Sequence, residues 1–403
     1  MPRRQVLDGV QVIEVASMVS GPYATKLLAE FGADVLKVEP VDGDPSRRHG
    51  PFRDDTPDLN ASGLFLYLNT NKRAISLDLT TYTGRKILLD LVATADVLVV
   101  DLSIDELERL KLDLSEIAAA NGRLIVGAIT PFGLEGPYAR YKGHNLNLYQ
   151  TGGDGWLLPS GLSHELFPDR QPLKPGGHVG DYYAGLNAAV GLIAALHARG
   201  DSGEGQIVDL NKLDAHVSLS REHIMWYANQ GLLETRDTRG FAFGGCVPCE
   251  DGFVEIVCLS DGQFDALVEL MGRPAWAEDE KFQDLSQRAE HGAEVNAHLR
   301  EWARVLPRDE IYERGRQLGV PIGIFSRPGD VVNSEHERIR DYFINAEHPT
   351  AGAITYPRQG FVSDMPAETD SPAPVLGQDN FDVLKNLGYT REEILKLWQL
   401  KVL

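Results

Sequence analysis

Cysteine is scarce. Three in 403 residues are too few for a disulfide framework and are the usage of a reducing compartment, so the cytoplasm is the expected location. Positive charge is also short: 39 Lys and Arg stand against 59 Asp and Glu, a formal net charge of −20. That balance excludes non-specific attachment to nucleic acid or to an anionic membrane surface. An anionic ligand would have to rely on a few local basic residues. Long hydrophobic runs are missing too, since no stretch is read as reaching the roughly 18 apolar residues of a membrane span. Met1-Pro2-Arg3-Arg4 is basic, but no apolar segment of signal length precedes Asp8. There is no internal repeat and no low-complexity tract.

The common catalytic signatures are absent as well. The sequence has no G-x-G-x-x-G, no P-loop, no G-x-S-x-G and no H-E-x-x-H. Cys246-Val247-Pro248-Cys249 has C-x-x-C spacing, but it lacks a second pair or histidine ligands to complete a zinc site. Glu250-Asp251-Gly252 reads as a turn into a strand rather than the helix that activates a redox pair. These cysteines are read as small structural thiols, and no metal site is expected.

What is present is an ordinary globular composition, 43% hydrophobic and 24% charged, in a chain long enough for two domains. Val10 to Val15 reads as a strand. Pro22 opens a helix that Gly32 closes, and a second strand, Asp34 to Val38, ends at Glu39. This βαβ unit has Rossmann-like topology, yet Gly21 stands alone at its turn, so dinucleotide binding is not expected. A polar loop over residues 40–62 carries Arg47, Arg48 and His49. The alternation then continues through the strands Ala74 to Leu79, Val97 to Val100 and Leu124 to Ile129, with helices between, and predicts a mostly parallel sheet. After a strand at Gln206 to Leu210 and a helix from Ala215 to Trp226, the character changes. Arg239 to Gly245 is read as a connector into a smaller α+β domain that ends near Arg327, and the last helix, Thr390 to Leu400, is expected to dock back on the first domain.

The stretch with the most chemical potential runs from Pro172 to Leu196. A Pro/Gly-rich turn hands over at Asp181 to a helix apolar on nearly every face, and such a helix is normally buried. Asp181 is expected at the N-cap, where its oxygen would accept first-turn N–H groups. The glycines before it leave room for a ligand, and the helix dipole favours the ionised form. A partly desolvated carboxylate in that place is a usable nucleophile. His144, after Gly143, suits acid/base work. Lys72, Arg73, Lys142 and Arg109 are the supply of phosphate partners in an acidic chain.

Several segments taken together resemble the family III CoA-transferases, the group that includes formyl-CoA transferase, carnitine and bile-acid CoA-transferases and α-methylacyl-CoA racemase. They are Leu7-Asp8-Gly9-Val10, Gly21-Pro22, Phe31 to Val35 with Lys37-Val38-Glu39-Pro40, Asn71-Lys72-Arg73, Gly180-Asp181 to Gly185, Gly205 to Asp209 and Pro372 to Gly377. The likeness spans essentially the full length. It implies an α/β fold: a Rossmann-like large domain built from both chain ends (residues 1–228 and 329–403), a smaller α+β domain inserted over 229–328, and a homodimer of interlocked rings. It implies that Asp181 attacks an acyl-CoA thioester and forms an aspartyl-CoA thioester by way of mixed anhydrides; such an attack needs oxyanion donors, for which Gly180 and the first helical turn are the candidates. Coenzyme A is then a substrate, with no tightly bound cofactor, and the partners are an acyl-CoA and a carboxylic acid, not nucleic acid or a membrane. By position, Met18, Leu77, Leu79, Leu102 and Arg109 fall where relatives contact CoA. Pro40 stands where some transferases place an arginine against the adenine. In the racemase branch the bases are an aspartate at the place of Asp181 and a histidine in Gly-His-Asp; here Gly143-His144-Asn145 keeps the histidine without the acid, while Asp261 lies where the racemase has a further carboxylate. CoA transfer is the favoured reading, with His144 orienting substrate. A 2-methylacyl-CoA racemase using His144 and Asp181 is the alternative, and a CoA-binding protein without turnover is the third.

Overall fold

The computed structural model describes residues 5–159, 164, 167–236, 243–361, 364 and 371–403, which form two compact units. One comprises Met1–Gly152, Pro175–Ser220 and Arg338–Leu403; the other comprises Gly153–Lys174 and Arg221–Glu337. The expected connector at Arg239 to Gly245 falls mostly outside the described residues, as does the basic Met1 to Arg4 terminus.

The first unit is built on six parallel strands: β1 (Gln11–Val15), β2 (Asp34–Glu39), β3 (Lys72–Ser76), β4 (Val97–Val100), β5 (Ile125–Thr130) and β6 (Gln206–Asn211), in the order β3-β2-β1-β4-β5-β6. Strands such as Val97-Leu98-Val99-Val100 are apolar throughout and fully buried, as a parallel sheet covered on both faces requires. On one face the Ser20–Glu30 helix and the Val179–Ser202 helix pack through Ala24, Leu28, Ala188, Ala189 and Leu192. On the other face Ile87, Leu107 and Leu110 meet the end of the chain, where Ile394, Leu397, Val402 and Leu403 complete the core. The final helix, Arg391–Gln399, carries the Thr390/Glu393 capping box and does return to this sheet. The order of strands reverses between β1 and β4. In open α/β sheets the crevice at the carboxyl ends of the strands, at such a reversal, is where ligands bind.

Two helices start earlier than the sequence predicts. The first helix begins at Ser20, before Pro22; Pro22 lies within the first turn, whose N–H groups have no intrahelical partner in any case. The long helix likewise begins early. Its N-cap is His178, and Asp181 sits inside the first turn, because the ladder already opens with Tyr182 N–H donating to the His178 carbonyl. This 24-residue helix is long and apolar enough to cross a membrane by length and composition, contrary to the expectation that no run reaches that length. In the fold it lies along the sheet, with Arg199 buried near its end and donating to Asp96 and to the Arg123 carbonyl.

The loop after β2 is tied down by buried charge. The Arg47 guanidinium makes two 2.7 Å bonds to Glu39, bonds the Pro374 carbonyl and lies 3.6 Å from the Phe65 ring centroid. Beneath the sheet's carboxyl edge, Glu14 is fully buried between Lys37 (2.7 Å) and Lys72 (2.9 Å), and Lys37 also meets Asp44 at 2.8 Å. The two ammonium groups hold the Glu14 carboxyl below its ordinary value despite burial, which acts the other way.

The second unit has an antiparallel sheet, β7 (Gly245–Cys249), β8 (Gly252–Ile256) and β9 (Ile322–Ile324). The helices Asp261–Leu270, Gly292–Ala303 and Arg308–Leu318 enclose a core of Phe243, Val254, Phe264, Leu267, Val295, Leu299 and Ile311. Cys246 and Cys249 lie on β7. Three residues apart on a strand, their side chains leave opposite faces, so the pair cannot converge on one ion, and burial pushes the Cys246 thiol up to about 11. All three cysteines are free. A β10–β11 hairpin, Phe343–His348 and Gly352–Pro357, belongs to the first unit.

Candidate functional site

Four segments bring their side chains together at the carboxyl edge of the large sheet. The start of the helix after β1 supplies Ser20, the segment after β5 supplies Asn145, the residue just past β6 is Lys212, and the long helix supplies its N-cap His178 and its first-turn Asp181. Asp181 is the common partner. Asn145 Nδ2 donates to Asp181 Oδ2 at 2.9 Å, with His178 Nδ1 3.5 Å from the same oxygen. The other oxygen, Oδ1, has looser company: Ser20 Oγ at 3.3 Å and Lys212 Nζ at 3.4 Å. The Asp181 side chain keeps 15% of its surface exposed, enough for a ligand to reach and little enough for its donors to act in a partly dry place.

The helix beneath reinforces this. Gly180 is buried, and a Cβ there would lie 1.8 Å from His216 Cε1, so only glycine lets the first turn come this close. Because the ladder begins at Tyr182, the N–H groups of Val179, Gly180 and Asp181 precede it. Asp181 in the first turn is on the favourable side of the dipole. Next to it Tyr182 packs edge-on against Tyr23, 4.9 Å between centroids; burial above all, with Tyr23 and the nearby Asp181 charge, pushes its hydroxyl up to about 12. Asn145 Oδ1 is buried without a hydrogen-bond partner among the described residues.

A second carboxyl lies at the strand reversal. Asp101, just past β4, accepts the Ser17 N–H at 3.0 and 3.1 Å. Burial raises it to about 7, with the nearby Lys212 charge as the main opposing influence.

The residues singled out in the sequence fare differently. Asp181 is central and Gly180 sits beside it. His144 is exposed, its backbone N–H donating to Asn147 Oδ1 at 2.6 Å, and no hydrogen bond or ion pair joins it to Asp181 among the described residues; its neighbour Asn145 makes that contact. Met18, at φ +57, gives its N–H to Asp44 at 3.1 Å and is half-buried beyond β1. Leu79 and Leu102 are half-buried beyond β3 and β4, and Arg109 is exposed. Leu77, at 1% exposure, is packed in the core with Ile75 and Leu384. Lys72 is a correction, because it is buried on Glu14, and Arg73 is partly exposed and chelates Asp34 at 2.8–3.0 Å. Of the basic four, Lys142 and Arg109 remain exposed. Asp261 pairs with Arg288 inside the second unit. Lys212, Ser20, His178, Asn145 and Asp101 were not foreseen as a group. No group of three or more His, Cys, Asp or Glu able to hold a metal occurs among the described residues.

Comparison with known proteins agrees over the whole chain. The succinyl-CoA–L-malate CoA-transferase alpha subunit of Chloroflexus aurantiacus is 32% identical over 98% of this chain and 92% of its own length. The formyl-CoA:oxalate CoA-transferase of Streptomyces coelicolor is 31% identical over 97% of both. The crystal structure of a CAIB/BAIF family protein from Brucella suis superposes with a TM-score of 0.85 at 29% identity, covering 96% of this chain and all of the other. The profile of CoA-transferase family III matches residues 7–380, and the chain belongs to that family as an enzyme of the CoA-transferase class.

Proposed function

We propose that the enzyme moves CoA from an acyl-CoA to a short carboxylic acid, with Asp181 as the covalent carrier. The observation that supports this reading most is the asymmetry of the Asp181 carboxylate, one oxygen held by Asn145 at 2.9 Å and the other loosely contacted. Oδ1 attacks the thioester carbonyl; a C–O bond forms, the C–S bond breaks, and CoA leaves as thiolate. The thiolate then attacks the Asp181 acyl carbon, giving aspartyl-CoA and freeing the donor acid as its carboxylate. The acceptor carboxylate repeats both steps in reverse. One anion replaces another at each stage, so neither a proton nor a redox partner is consumed. In every tetrahedral intermediate on the Asp181 carbon, Oδ2 carries the negative charge, where the Asn145 amide and the first-turn N–H groups serve as donors.

The candidate CoA contacts at Met18, Leu79 and Leu102 follow the ends of β1, β3 and β4, and Arg109 and Lys142 are the exposed cations available to phosphates. The relatives act on succinyl-CoA with L-malate and on formyl-CoA with oxalate by their names, which suggests small carboxylic acids on both sides. The racemase reading is not favoured: it requires two bases flanking the substrate's α-carbon, and the relatives are CoA-transferases by their names. We infer further that the enzyme is a homodimer, since the long helix leaves Leu186, Val190 and Ile193 exposed.

The test is CoA exchange. Wild-type enzyme given succinyl-CoA or formyl-CoA should release acyl-CoA of an added acid (L-malate or oxalate), and Asp181→Ala should lose this by about 10³-fold or more, as expected for removal of a covalent nucleophile. Exchange by Asp181→Ala at the wild-type rate would overturn the reading.

A further inference from the structure

Lys212 is the residue of the cluster with the least conventional placement. It is the first residue of the Lys212–Leu219 helix, capped by Asn211, whose side chain accepts Leu213 N–H at 2.8 Å. A cation there faces the positive end of the helix dipole, and neither the strand before it nor the helix after it needs a lysine. Its ammonium is 3.4 Å from Asp181 Oδ1, longer than the roughly 2.7–2.9 Å of a closed ammonium–carboxylate bond, so Asp181 has not captured it fully. The side chain is 19% exposed. The other carboxyl that faces it, Asp101, is occupied by Ser17 N–H and, being pushed up to about 7, is only a partial countercharge at neutral pH.

In CoA transfer through Asp181, Oδ1 makes and breaks the bond with the substrate acid. The bridging oxygen of either mixed anhydride therefore occupies the place beside Lys212 Nζ. When Asp181 becomes a thioester it loses its charge, and a half-buried ammonium is left facing that place. We propose that Lys212 is the binding residue for the substrate carboxylate, passing from Asp181 to the incoming acid at the aspartyl-CoA stage. The ligand class is an organic carboxylate, held through the same carboxylate that attacks. As the donor acid leaves from the same position, Lys212 also receives it before release.

This rests on the transferase reading, and the two can be told apart. Wild type, Lys212→Met and Lys212→Arg are mixed with whichever of succinyl-CoA and formyl-CoA yields aspartyl-CoA in the wild type, first without and then with L-malate or oxalate. Lys212→Met should still form aspartyl-CoA, more slowly than wild type because the departing donor acid also passes Lys212. Its KM for the acid should rise about tenfold or more, the effect of losing one charge-assisted hydrogen bond. Lys212→Arg should recover most of that loss, and matching circular dichroism excludes misfolding as the cause. An unchanged KM for the acid in a Lys212→Met enzyme that still forms aspartyl-CoA overturns the role of Lys212 alone. Failure of the wild type to form any aspartyl-CoA removes the reading beneath it.

Discussion

At the scale of single residues, environment sorts chemically identical groups. Asp181 and Asp101 both flank Lys212, yet one accepts four side-chain contacts at a ligand-accessible place and the other is held by backbone N–H beneath it. Asp101 keeps its proton in the folded protein up to about 7, against 3.8 for the ordinary carboxyl. Its contribution to stability is therefore complete below that ordinary value and is lost as pH rises through 7. Asp101→Asn keeps an acceptor for Ser17 and does not titrate. Its stability relative to wild type should rise between pH 4 and pH 8, by up to on the order of 4 kcal/mol, read from denaturant midpoints. Parallel pH profiles for the two proteins would show that Asp101 is not desolvated. The lysines show why such sorting is hard to read from sequence. Asn71-Lys72-Arg73 looks like a solvated basic turn, and only the arrival of Glu14, 58 residues away, makes Lys72 a buried structural cation.

At the scale of elements, what was legible was what local chemistry decides. Val97–Val100 matches its predicted strand residue for residue, because an apolar run is a local signal. β7 was missed because Cys-Val-Pro-Cys has no alternation, and its pairing with β8 is a tertiary decision. The long helix was read as buried all round, but its face at Leu186 (44% exposed), Val190 (62%) and Ile193 (42%) is bare in the single chain. A contiguous apolar face of this kind marks an interface. The interlocked arrangement implied by the resemblance offers an occupant, a second copy of the chain. Light scattering should give the mass of two chains down to nanomolar concentration, with no monomer on dilution. A monomer that retains native circular dichroism would contradict both the dimer and the interlocking.

At the scale of the whole molecule, the fold explains why the site could be half seen. The six-stranded parallel sheet, with its order reversing between β1 and β4, gathers the ends of distant segments at one edge, so Ser20, Asn145, Asp181 and Lys212 become neighbours while lying up to 192 positions apart (20 to 212). Asp181 could be found because glycine-rich sequence and an apolar helix surround it. Asn145 and Lys212 could not, since nothing in their own neighbourhoods distinguishes them from surface residues until the sheet closes. Transfer by this enzyme depends on Asp181 carrying CoA. The most direct measurement is to incubate the enzyme with succinyl-CoA or formyl-CoA without an acceptor, add hydroxylamine, digest, and weigh the peptide that contains residue 181. Conversion of Asp181 to its hydroxamate, dependent on the acyl-CoA, is the predicted result. An unmodified Asp181 in enzyme that still passes CoA to an added acid would contradict the account.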